Sequence, residues 1–436
     1  VVPVGALLAS IALIVVATLG PFNPIEAGRI PPAWCLRCGG LWLTDAISNV
    51  VLFAPFGIAL SLRRWRWWQV MLVSAAFSLV VECLQSVGIP PSRSPATSDL
   101  VANSVGGLCG VWLVSLWHGL LHPTRAQARV LAVCWTLGVI AILTLTTLAL
   151  GPRGGASNEV RFARSRFTYA PGFGFFRGVV TAATVNGVPF ANDRNGPVIV
   201  QATGRPDSLH LAARITGREE LRNRKPLLYV HTPDDTSAVA AIVQHGDDAE
   251  VLIARRAYDW GLALPSLVIR NAFAGRTLDD TRPLSLEARA MRDRIELTVQ
   301  ASHVPNGHAE ARLLLPPTLG WAMIQTIVDT ESRWAWPFLV CWLFVLLAPV
   351  GWWSMRSGSA GVTPSVMQGA MPGVVLVVCI ALCALLLPMW RGVAPVPMAQ
   401  WVTGAMCLVA GAALSRWRRA PTAEPRRGAN LRPGAG

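Results

Sequence analysis

The sequence predicts a polytopic α-helical membrane protein, with about eight transmembrane helices and an inserted extracytoplasmic all-β sandwich. Three observations predict it. The 436 residues are 53% hydrophobic and only 14% charged, whereas a soluble domain carries roughly 25% charged residues. Several mostly apolar runs reach the roughly 20 residues that a helix needs to cross the hydrocarbon core. Between them lies one long segment whose apolar residues alternate, as in half-buried strands.

Apolar runs at about 3–20, 45–62, 67–88, 99–118 and 129–150 give five spans within residues 1–150. No A-x-A cleavage site follows the first run, so it is read as a retained helix rather than a signal peptide. Residues 151–157, rich in glycine and arginine, read as a linker. Residues 158–333 then form the β domain. In 208–216 the alternating apolar set is Leu209, Leu211, Ala213 and Ile215; in 294–301 it is Ile295, Leu297, Val299 and Ala301. Asn186-Gly187 between apolar runs is a hairpin-turn signal. Further strands are expected at Gly196–Ala202, Pro226–His231, Ala238–Gln244, Glu250–Arg256 and Pro265–Ala272. Many short strands with few helical signals point to a sandwich. Runs at about 335–354, 371–389 and 397–414 supply three more spans within residues 334–415. Residues 416–436 are too poor in apolar side chains to pack, and read as a disordered, basic cytoplasmic tail.

The net charge is +14, nearly all of it arginine, with Lys225 the sole lysine. With the N-terminus inside, the cytoplasmic segments hold Arg63, Arg64, Arg66, Arg125, Arg129, Arg356 and the arginines from 416 onward, while the short outer loops hold only Arg29, Arg37, Arg93 and Arg391. This asymmetry fits the positive-inside rule and places the β domain outside the cell. Trp65, Trp67 and Trp68 lie among the inner arginines, where an aromatic belt belongs. The first partner is therefore the lipid bilayer. No basic stripe interleaved with stacking aromatics occurs, so no nucleic-acid partner is expected. Nothing in the chain signals an oligomeric state.

All but Glu26, Asp45, Glu82, Asp99 and Glu424 of the 24 acidic residues fall between 151 and 333. An acid at the centre of a span costs roughly 2.5–3.5 kcal/mol, so Asp45, Glu82 and Asp99 each call for an explanation. Asp45 and Asn49 are one helical turn apart, as are Asp99 and Asn103; Glu82 and Gln85 also share a helix face. In the expected topology all three pairs lie toward the outer ends of their helices, with Arg93 in the adjoining loop. Convergence of these faces would build an outward-facing polar pocket lined by Asp45, Asn49, Glu82, Gln85, Arg93, Asp99 and Asn103. Intramembrane ionisable groups typically face such a cavity. The bland alternative is that the polar side chains only glue helices together.

Seven of the nine cysteines fall in apolar runs and read as small apolar residues. Cys35 and Cys38, in WCLRCGG, are disulfide candidates in an oxidising compartment; unpaired thiols, metal binding and redox chemistry stand as alternatives. No metal site or cofactor is implied. Asp234, Asp235, Asp247 and Asp248 offer carboxylates to calcium, but acidic turns of this sort are more often solvated.

The N-terminal motifs resemble the VanZ-like membrane family. Asp45, Asn49, Phe53, Pro55 and Gly57 follow its Asp-x3-Asn-x3-Phe-x-Pro-x-Gly helix; Ser78, Glu82 and Gln85 follow its Ser-x3-Glu-x2-Gln helix. Arg93, Asp99, Asn103 and Gly106 complete the pattern within about residues 1–120. The resemblance implies a protein of the bacterial cell envelope, in the inner membrane, with an influence on susceptibility to glycopeptides of the teicoplanin type. It implies no catalytic residue. The β segment is similar in strand pattern to concanavalin-A/laminin-G-like sandwiches, which often bind carbohydrate.

Three functional readings follow. The first is an envelope protein whose pocket takes a polar headgroup, a cell-wall precursor or a lipid-linked intermediate. The second is a membrane-anchored carbohydrate-binding module. The third is an enzyme or transporter for an extracytoplasmic lipid-linked substrate, with Glu82 and Asp99 as an acid/base pair; no nucleophile-with-base pattern and no inverted repeat supports it.

Overall fold

The computed structural model describes residues 4–20, 34–37, 40–89, 95–152, 161–164, 176–189, 208–218, 224–231, 238–302, 307–325, 330, 332–357 and 366–417. Its long helices are α1 (Val4–Leu19), α2 (Trp42–Ser61), α3 (Trp67–Ser86), α4 (Thr97–Leu121), α5 (Arg125–Leu150), α6 (Ala335–Ser357), α7 (Val366–Arg391) and α8 (Met398–Trp417). Each coincides with one expected apolar run. Among the described residues seven of them, α2 to α8, are long and apolar enough to cross a membrane. The 16 residues of α1 reach about 24 Å at 1.5 Å per residue. The chain is a multi-pass helical membrane protein with a separate β-rich region.

The described strands are β1 (Arg161–Arg164), β2 (Val179–Val185), β3 (Val188–Pro189), β4 (Ser208–Thr216), β5 (Arg224–His231), β6 (Ala238–His245), β7 (Asp248–Ile253), β8 (Leu267–Ile269), β9 (Leu284–Met291), β10 (Arg294–Gln300) and β11 (His308–Leu314). They form a five-stranded sheet, β1-β5-β6-β7-β8, and a six-stranded sheet, β11-β10-β9-β4-β2-β3. Every pairing is antiparallel. Asn186 and Gly187 both take positive φ, 49° and 79°, the backbone of a two-residue hairpin turn.

Of the expected strands, two are shortened and one lies outside the described residues. The strand expected at Glu250–Arg256 ends at Ile253, and Arg256–Asp259 is instead a one-turn helix. The strand expected at Pro265–Ala272 shrinks to Leu267–Ile269, because Asn271 takes a φ of 58° and turns the chain. Gly196–Ala202 lies outside the described residues, as do most of the expected linker and all of the expected tail beyond Trp417. Gly151 and Pro152, at the head of that linker, are tied to the β region: the Gly151 carbonyl accepts from the Arg256 amide at 3.2 Å, and Pro152 bridges Arg255.

The chain divides into two compact units, one of Val1–His122, Ile140–Val340 and Leu382–Pro397, the other of Pro123–Val139, Cys341–Ala381 and Met398–Gly436. In the first, Ile14 of α1, Phe53, Phe56 and Leu60 of α2, Val70 of α3 and Val111 of α4 make one apolar core. Helices α2 and α4 meet backbone to backbone. A methyl group at Gly57 would overlap the Gly107 carbonyl, and one at Gly110 would lie 2.6 Å from the Ile58 nitrogen. Small residues allow this approach, which supplies the dispersion contacts that hold helices together in lipid. In the second unit, Trp135 of α5 donates to the Leu346 carbonyl at 2.9 Å and meets Trp353 edge-on at 5.7 Å.

Candidate functional site

The site is built on one face of α3. Ser74, Ser78, Glu82 and Gln85 follow one another at helical spacing, and each is at least 95% buried. That stripe faces α4. Asn103 Nδ2 donates to Ser78 Oγ at 2.9 Å. One turn further along, the missing side chain of Gly107 leaves room for the Ser74 hydroxyl. Asn103 Oδ1 and Ser74 Oγ are both buried without a hydrogen-bond partner among the described residues. Buried polar atoms in folded proteins are usually paired, so this interface holds hydrogen-bonding capacity that the described residues leave unused.

Glu82 is 1% exposed, and its Oε2 accepts the backbone N–H of Ala96 at 2.8 Å. Ala96 is the residue from which α4 starts. The carboxylate therefore stands at the positive end of the α4 dipole, worth about 0.3–1 kcal/mol and up to about 2 in partly buried geometry. A hydrogen bond to a charged group adds roughly 1.5–3 kcal/mol. Together these match the roughly 2.5–3.5 kcal/mol cost of an acid within a span. This placement offsets part of the cost of burying Glu82. Gln85 reaches the other way, its Nε2 lying 3.4 Å from the Thr18 carbonyl at the end of α1.

A short strap covers this helix start. The Cys35 carbonyl accepts the Thr97 and Ser98 amides at 3.1 and 3.4 Å, the Trp34 amide donates to the Pro95 carbonyl at 2.9 Å, and Cys35 bridges Ala96. Cys35 is disulfide-bonded, whereas the cysteines from Cys83 to Cys407 are free. Cys38 and Arg93 lie outside the described residues.

Helix α2 is seated from the β region. The Gly261 carbonyl accepts the Leu43 and Thr44 amides at 3.0 and 3.1 Å. Thr44, 1% exposed, donates its hydroxyl to the Met323 carbonyl and accepts the Ala263 amide, both at 2.7 Å. Helix first turns need partners for their free amides; here a distant loop supplies them. Gly261 holds a φ of 70° with its Cα against the Trp42 indole, a position no larger residue could take.

The structure thus joins Asn103 to Ser78, Glu82 to the start of α4, and Gln85 to α1. It places Asp99 half-buried in the first turn of α4, beside Ser98 at 3.3 Å. Asp45 is exposed on the first turn of α2 and Asn49 is half-buried. The residue after Asn49, Val50, packs against Gly106 of α4. Two contributors were not singled out from sequence. Ser74 stands one turn before Ser78, a signal that spacing could have given. Thr44 has no local signal, since its partners lie in the β region. The acidic turn residues Asp247 and Asp248 are ion-paired with Arg218 and Arg270.

Residues 8–118 match the VanZ/LLP1 family model. The N-terminal region, from α1 through most of α4, is VanZ-like. No curated protein and no solved structure matches the chain.

Proposed function

We propose that this chain, through its VanZ-like N-terminal region, is a bacterial inner-membrane protein of the cell envelope whose helices α2 to α4 offer an outward-facing polar pocket. The pocket takes the polar part of a cell-wall precursor or lipid-linked intermediate, and through it the protein influences susceptibility to teicoplanin-type glycopeptides. The observation that supports this reading is the buried stripe of Ser74, Ser78, Glu82 and Gln85 on one face of α3, with hydrogen-bonding atoms at Ser74 and Asn103 beside it that have no partner among the described residues. Helix glue alone would leave such atoms paired. Asp45, Asn49, Asp99 and Arg93 complete the proposed lining.

The test is Glu82→Gln and Asp99→Asn in cells that depend on the protein. Loss of the envelope or glycopeptide phenotype, at undiminished protein level in the membrane, is expected. Mass spectrometry of lipids copurifying with the parent and not with Glu82→Gln would identify the ligand. Unaltered phenotypes and identical lipid content in both variants would reduce the stripe to helix packing.

A second reading is a carbohydrate-binding module held at the membrane by the helices. Its support is the pair of antiparallel sheets, whose strand pattern in the sequence is similar to that of concanavalin-A/laminin-G-like sandwiches, together with a depression on the polar face of the six-stranded sheet. A glycan array with the purified full chain tests it, and no signal above background would remove it.

A further inference from the structure

The six-stranded sheet has one buried face, carrying Leu211, Ala213, Leu286 and Val299. Its other face holds a depression of ≈ 140 Å³ across β2, β4, β9 and β10. Two cross-strand rows line it. In one, Thr184, Ala212, Glu287 and Thr298 stand opposite one another; in the other, Ala182 faces Arg214 and Arg214 faces Ser285. Residues two apart on a strand share a face, so the rows lie side by side. The alanines leave a flat methyl floor, while hydroxyls and the Gln300 carboxamide form the rim.

Charge sorts the rim further. The Glu287 carboxylate is taken by His210 at 2.8 Å and Arg289 at 2.6 Å. Arg214 makes no ion pair among the described residues; its Nε only touches Ser285 Oγ at 3.4 Å. Among the described residues, the unneutralised charge of the depression is thus a guanidinium, whose planar fork matches a carboxylate.

We infer that this depression binds a carboxylate-bearing sugar unit of a polysaccharide. The C–H face of the ring lies on the Ala182 and Ala212 methyls, the ring hydroxyls meet Thr184, Thr298 and Gln300, and Arg214 takes the carboxylate. The volume suits one ring rather than a drug-sized molecule, for which about 300–1,000 Å³ is usual. The inference rests on the carbohydrate-binding reading and deepens it, naming the sugar class and the residues.

The test uses the full chain in lipid nanodiscs, titrated with a trigalacturonate and, in parallel, with its neutral methyl ester. The acid form binds, and the ester binds about tenfold or more weakly, the worth of a charge-assisted hydrogen bond. Arg214→Gln abolishes that difference, and Ala212→Phe, which fills the floor, weakens both forms; thermal unfolding of each variant reports that it is folded. Equal binding of acid and ester, or a difference that survives Arg214→Gln, overturns the inference while leaving a carbohydrate-binding module standing. Competition by inorganic phosphate as effective as by the sugar also overturns it, since the site would then read charge alone. No binding of either form, with an empty glycan array, removes both.

Discussion

At the residue scale, the buried acid of α3 is the central fact. Glu82 resides where a helix start offers it an amide donor and a favourable dipole, so the same side chain can be charged and buried. Its neighbour pair, Ser78 and Asn103, makes a simpler test. Asn103→Ala removes one interhelical hydrogen bond, which in membrane proteins averages about 0.6 kcal/mol and reaches about 1.7. Unfolding in mixed detergent should show a loss in that range, and a double-mutant cycle with Ser78→Ala should return the coupling. A loss near zero would mean that the bond contributes nothing to the bundle.

The β region carries its own titrating residue. Asp280 accepts from the Arg282 side chain at 2.6 Å and from the Arg282 amide at 2.9 Å, with Arg276 also beside it. These hold its carboxyl well below the ordinary carboxylate range. A depressed folded-state pKa contributes stability above the unfolded value, about 3.9 for aspartate, and loses it as the pH falls toward the folded value. Thermal midpoints should therefore drop on acidification from pH 5 toward pH 2, and Asp280→Asn should flatten part of that drop. An unchanged slope in the variant would assign the acid sensitivity to other carboxylates.

At the scale of elements, two contacts fix α2. One is its backbone contact with α4. Gly57→Ala places a methyl group on the Gly107 carbonyl, and overpacking of this kind costs about 1–3 kcal/mol; a lowered unfolding midpoint with unchanged helix content is expected. The other is the Thr44 seat. Thr44→Val keeps the shape and strips the hydroxyl from the Ala263 amide and the Met323 carbonyl, at about 1–3 kcal/mol for buried groups left unpaired. Limited proteolysis should then cut the loop around Leu262 faster than in the parent. An equal cutting rate would show that the Gly261 carbonyl alone secures the joint.

The sequence made some of these elements readable and hid others. Spans were legible because hydropathy accumulates over some 20 residues, and the shared burial of Glu82 and Gln85 because helical spacing places them on one face of α3. Strands β4 and β10 announced themselves through leucine, isoleucine and valine at every second residue. Strand β9 did not, because half of its buried set is Ala288 and Ala290, too small to stand out from its neighbours. The Thr44 contact links residues 279 positions apart; no local pattern encodes such a meeting.

For the molecule as a whole, the arrangement of arginines predicts which side of the membrane each part faces. A cysteine introduced at the exposed Asp279 in the β region should react with a membrane-impermeant maleimide in intact cells, above the background of the parent. One introduced at the exposed Arg63, between α2 and α3, should react only after lysis. The reverse pattern would invert the topology and carry the proposed pocket to the inner leaflet.

The carbonyl of Gly261 grips two successive amides where α2 begins, and the Thr44 hydroxyl clasps the same loop from the side. A pull on the sheets is thereby delivered along the axis of α2, and α2 is meshed with α4 at its glycines. Whatever tugs at the β region from a distance has a handle on the rod that carries Asp45 and Asn49.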